Sequence, residues 1–136
     1  MAYRKDYVQP QQGDQGFART MKCFGRRINF AVADMTLASV VGAFVLPANF
    51  MVLGIFGKTD ALGTSLAVSV GTPATPALLL AGQSLAAAGA ISTTLAAGAA
   101  FTKTTAPTEI QITVTTGATA AQTAGVVELY VWGCAF

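Results

Sequence analysis

From Ile28 onward the apolar residues of this chain recur mostly with a period of two. Ile28, Phe30 and Val32 alternate with Asn29, Ala31 and Ala33, which predicts a strand with one face turned to a core. Residues 40–46 and 50–56 are apolar on both faces, as in strands covered on both sides or lying at a subunit contact. Leu46-Pro47-Ala48-Asn49 separates them with turn chemistry, and Gly57-Lys58-Thr59-Asp60 and Leu62-Gly63-Thr64 follow as further turns. Leu66, Val68 and Val70 alternate with Ser65, Ala67 and Ser69 until Gly71-Thr72-Pro73 stops the run. Near the end, Ile110, Ile112 and Val114 alternate with Gln111, Thr113 and Thr115, and Val127, Leu129 and Val131 with Glu128, Tyr130 and Trp132. These last two runs, joined by small turn residues, read as neighbouring antiparallel strands.

Two stretches break the pattern. Residues 74–100 are rich in Ala, Gly and Leu, but Gly82, Gly89 and Gly98 would cut any helix there, which predicts one short helical turn and a loop. Residues 1–27 are polar and include the flexible stretch QPQQGDQG, which predicts an extended or loosely ordered arm. The chain therefore reads as all-β: a β-sandwich or jelly roll of about seven or eight short strands. Its organisation is an extended basic N-terminal arm, 1–27, followed by a β-sandwich domain, 28–136.

Composition sharpens this picture. The chain has 136 residues, enough for one domain with a modest core. It is 53% apolar and only 10% charged, where an ordinary soluble domain carries about 25% charge. A surface so poor in charge tends to associate. The net charge of +2 hides an uneven distribution. Residues 1–27 hold Arg4, Lys5, Arg19, Lys22, Arg26 and Arg27 against Asp6 and Asp14, whereas the rest holds Lys58 and Lys103 against Asp34, Asp60, Glu109 and Glu128. Such an arm suits an acidic protein surface better than nucleic acid, because its bases are not dense and its aromatics are irregularly spaced. The nearly uncharged run 38–57 is long enough to span a bilayer, yet Pro47, Asn49 and its glycines divide it into strand-length pieces. No membrane association is expected, and the polar first 27 residues contain no signal-type apolar stretch.

Candidate chemistry is sparse. There is no histidine, the usual general acid–base and the partner a thiolate pair would need. Asp34 and Asp60 stand near strand ends, where turn capping is the ordinary role, and Glu109 and Glu128 fall on solvent-type positions. Cys23 and Cys134 form no metal-binding motif, and whether they pair is open at this point. No phosphate-binding glycine loop is present. No enzyme activity, cofactor or metal is expected.

Several phrases carry a resemblance: LPAN (46–49), FMVLGIF (50–56), SLAVSVGTPATPALLLAGQSLAAAGAI (65–91) and TVTTGATAAQTAGVVELYVW (113–132). In their order they resemble small tailed-phage capsid decoration, or cement, proteins, over residues 28–132. The resemblance implies a jelly roll or β-sandwich on the capsid exterior, assembled in the host cytoplasm as a homotrimer that clamps neighbouring major capsid protein subunits. The arm 1–27 departs from the shortest such proteins, and there we expect capsid contact through Arg4, Lys5, Arg19, Lys22, Arg26 and Arg27. The apolar strand 50–56, with Phe50, Val52 and Phe56, is expected to serve self-association at a trimer axis or the core. No direct nucleic-acid binding is implied. The alternatives are a tail or head–tail connector protein and a receptor- or glycan-binding virion module; for the last, Tyr3, Tyr130 and Trp132 are few and scattered.

Overall fold

The computed structural model describes residues 20–96 and 103–135. In chain order its strands are β1 (Thr20–Phe30), β2 (Val40–Leu46), β3 (Phe50–Thr59), β4 (Ala67–Gly71), β5 (Leu80–Ser84), β6 (Gly89–Ala90), β7 (Thr108–Thr116) and β8 (Gly125–Ala135). They form two four-stranded antiparallel sheets, ordered β1-β8-β3-β6 (sheet A) and β2-β7-β4-β5 (sheet B). The pairs are nested. β1 lies on β8, β2 on β7, β3 on β6 and β4 on β5, as if one long hairpin had been folded over on itself. The β3–β8 and β4–β7 ladders then close each sheet. This is the jelly-roll order.

The inner faces follow the two-residue period. In sheet B, Ile110, Ile112 and Val114 of the central strand β7 are buried with Val68 and Val70 of β4. Opposite them, sheet A contributes Val127, Leu129 and Val131 of its central strand β8, with Ile28 and Phe30 of β1 and Phe50, Val52 and Ile55 of β3. Phe24 packs edge-on against Phe50, with ring centroids 5.2 Å apart.

The corner between β2 and β3 carries the chain from one sheet to the other. Asn49 takes a left-handed conformation there (φ 60°), which Asn tolerates better than most residues. Thr104 clamps this corner. Its hydroxyl donates to the Pro47 carbonyl (2.6 Å) and accepts from the Phe50 N–H (3.0 Å). Its backbone carbonyl accepts from Asn49 (2.8 Å), and its N–H donates to the Phe50 carbonyl (2.8 Å). The apolar run 38–57 thus becomes two strands in different sheets, and no helix among the described residues is long and apolar enough to cross a membrane.

The structure corrects four details. β7 and β8 are not neighbours; they are the central strands of opposite sheets, and the 117–124 connection crosses between the layers. Residues 20–27 pair with β8 from Thr20↔Ala135 to Arg27↔Glu128, so the sandwich begins before Ile28. The strand starting there ends at Phe30, and Val32–Met35 form a 3-10 turn in which Val32 is exposed and Met35 buried. Within the described residues 74–96 the expected helical turn gives way to β5, to which β4 offers a ladder of partners at Leu80, Gln83 and Ser84, and to β6, which pairs with β3.

Candidate functional site

Alternation along β8 turns Glu128, Tyr130, Trp132 and Cys134 away from the core, and the strand registers give each a partner on both sides. Four rows result across the outer face of sheet A, running β1–β8–β3. They are Met21–Cys134–Met51, Cys23–Trp132–Gly54, Gly25–Tyr130–Phe56 and Arg27–Glu128–Lys58. The first three rows contain only aromatic, sulfur-bearing and glycine residues. The fourth is charged.

Two glycines shape the aromatic rows. A Cβ on Gly54 would collide with the Trp132 indole, and one on Gly25 with the Tyr130 ring. Each ring therefore lies across the strand beside it, filling the space a side chain would take. Tyr130 also stacks on Phe56, with centroids 5.2 Å apart and planes 19° apart. The face remains accessible: Met21 is 55% exposed, and the rings of Phe56 and Trp132 42% and 38%. Both cysteines are free and occupy this same face on adjacent strands, two positions out of register. The Cys134 thiol lies 3.0 Å from the Met21 sulfur, and Cys23 is exposed.

The charged row borders the patch. Lys58 and Glu128 pair at 3.3 Å, and the Asp60 carboxylate accepts a 2.8 Å hydrogen bond from the Val126 N–H. With Arg27 and Val126, these residues line a polar pocket at the end of the sheet. Asp34 caps its own turn by accepting from the Ala31 N–H at 2.9 Å. Both aspartates thus serve backbone groups. Among the described residues no cluster of His, Cys, Asp or Glu could hold a metal ion.

The six basic residues assigned to capsid contact divide. Arg4, Lys5 and Arg19 lie outside the described residues. Lys22, Arg26 and Arg27 are exposed on β1. Successive strand residues point to opposite sides, so Arg27 borders the aromatic patch while Arg26 lines a groove with Phe44, Val45 and Glu109. Of the residues assigned to self-association, Phe50 (0% exposed) and Val52 (4%) belong to the core and only Phe56 faces outward. The aromatic–sulfur face itself went unread in the sequence. Tyr130 and Trp132 at successive outward positions of one strand were its only local signal; Met21, Met51 and Phe56 join them through pairing distant in sequence.

No protein-family model and no curated protein matches the sequence. A structural likeness does exist. A chain of the solved cyanophage Pam1 capsid asymmetric unit superposes with a TM-score of 0.74 at 19% sequence identity, and the match covers 99% of this chain and 94% of that one. At that identity the likeness establishes a shared fold, extending over nearly the whole of both chains.

Proposed function

We propose that this chain is a structural virion protein that decorates a phage capsid, binding neighbouring major capsid subunits from outside and cementing them. The observation that carries the reading is the end-to-end match of its jelly roll to a chain from a capsid assembly. Low surface charge and an open aromatic face add support, because both favour association with other protein surfaces. In this reading the protein is a homotrimer. Residues 1–19, with Lys22, Arg26 and Arg27 of β1, meet carboxylates of the capsid lattice. Binding only to the mature lattice stabilises it by mass action.

The test is the native mass of the purified protein, alone and mixed with mature shells of the same virus stripped of it. A trimer that binds the shells and raises their melting temperature supports cementing. A ring of six or twelve that ignores the shells would move the protein to the tail or connector and overturn decoration.

A further inference from the structure

We infer that Cys23 and Cys134, joined by the thioether of Met21, form a binding site for one soft monovalent cation of the copper(I) class. The site lies at the end of the sheet A face farthest from the charged row. It stands whether or not the protein decorates a shell.

Spacing decides what the two thiols can do together. Cys134 stands opposite Met21, and Cys23 follows two residues along β1 on the same face. Such diagonal neighbours are about 7–8 Å apart at Cα, with their Cβ atoms somewhat closer. A disulfide needs Cα atoms within about 7 Å and sulfurs about 2 Å apart. The pair is therefore too wide to close on itself, and both cysteines are free. An ion between them relaxes the demand. Metal–thiolate bonds are about 2.3 Å long, which sets two sulfurs on one ion roughly 4–4.6 Å apart. The diagonal spans that gap with its backbone in place.

Two thiolates make an incomplete donor set, and methionine completes it. The Cys134 thiol already donates to the Met21 sulfur at 3.0 Å. Met21 is unbranched and 55% exposed, so its sulfur can withdraw by about an ångström to admit an ion. Met51 flanks Cys134 from β3 and places a second thioether in the same row. Cys23 is exposed, and Trp132 opposite it leans the other way, across Gly54. The donors gathered here are all sulfur. Among the described residues of this face, the nearest side-chain carboxylate is Glu128, three rows from Cys134 and held by Lys58. Zinc favours imidazole or more thiolates, and calcium and magnesium favour oxygen; thiolate with thioether selects copper(I). On binding, the ion accepts one electron pair from each thiolate and one from the Met21 sulfur. Two thiol protons pass to water, and nothing is oxidised or reduced.

The experiment titrates the whole chain with copper(I) under argon against a chromophoric copper(I) chelator, with native mass spectrometry counting the ions. One ion per chain, with Cys23 and Cys134 protected together from iodoacetamide, is the expected result. No binding, two ions per chain, or protection of one cysteine alone would overturn the site. Cys23→Ser and Cys134→Ser are each expected to lose the chelator-resistant ion, and its retention in either variant would also overturn it. Met21→Leu conserves volume and should keep the fold. It is expected to weaken binding by at least about tenfold, since even outer-shell changes at metal sites cost that much. Unchanged affinity in that variant would remove the thioether and the three-donor site with it. As a separate check on the spacing, mild oxidation of the metal-free protein should give no Cys23–Cys134 bond in a peptide map. Ready formation of that bond would sink the geometric argument.

Discussion

The two sheets of this sandwich have similar inner faces and unlike outer ones. Inside, the central strands β7 and β8 each present three aliphatic residues, all at most 3% exposed. Outside, sheet A carries the rings of Phe56, Tyr130 and Trp132 beside Met21, whereas sheet B carries no ring on its central strand and mixes exposed Val40 and Val45 with hydroxyl residues such as Thr113 and Ser69. Sheet B also covers itself. The β4–β5 connection lies so close over Gly71 that a Cβ there would meet the Thr75 and Pro76 carbonyls, and Ser69 and Gln111 are buried. The inner faces thus meet one requirement, removal of aliphatic surface from water, in one way. The outer faces are free to diverge, and the divergence gathers the exposed rings on one of them.

The sharpest test of the shared inner chemistry is to truncate each central strand. Leu129→Ala in β8 and Ile112→Ala in β7 should each cost about 2–5 kcal/mol in chemical denaturation, since both side chains are fully buried. A much smaller loss in one sheet would break the symmetry between the inner faces. On the outer face of sheet A, Gly54→Val should cost about 1–3 kcal/mol by forcing the indole off its strand. Tryptophan emission should shift to the red as Trp132 becomes hydrated; an unshifted spectrum would mean that the ring does not rest on Gly54.

The joint between the sheets comes next in size. Thr104→Val removes the hydroxyl that serves both Pro47 and Phe50, and should cost about 1–2 kcal/mol while keeping the side-chain volume. A neutral outcome would assign the corner to Asn49 and the backbone bonds alone. The smallest effect belongs to the charged border. Lys58→Ala breaks the pair with Glu128, but the lysine side chain is 73% exposed, so the loss should stay below about 1 kcal/mol and fade in molar salt.

Much of the fold was legible along the chain because side-chain alternation is a local property. Ile110, Ile112 and Val114, and Val127, Leu129 and Val131, announce buried faces through their own neighbours alone, and Pro47–Asn49 marks its corner by conformational preference. Strand partners are not local. Leu80–Ser84 is a strand because β4 lies beside it, and residues 20–27 pair because β8 runs the full length of β1. No period in either segment encodes that neighbour. Placement of β7 and β8 in opposite sheets depends likewise on how the 117–124 connection crosses the sandwich.

The same division holds for the candidate site. By itself the sequence determined an all-β chain with a poorly charged surface, cationic residues gathered before residue 28, and no histidine for acid–base chemistry. It also set Tyr130 and Trp132 on the outward positions of the last strand. Only the tertiary structure decided that Met21, Phe56 and two glycines lie beside those rings, that Phe50 and Val52 turn inward, and that Arg26 and Arg27 face opposite sides of β1. The reason is physical. Alternation says which side chains share a face, but interstrand register, set by hydrogen bonds between segments far apart in the chain, says which faces become one surface.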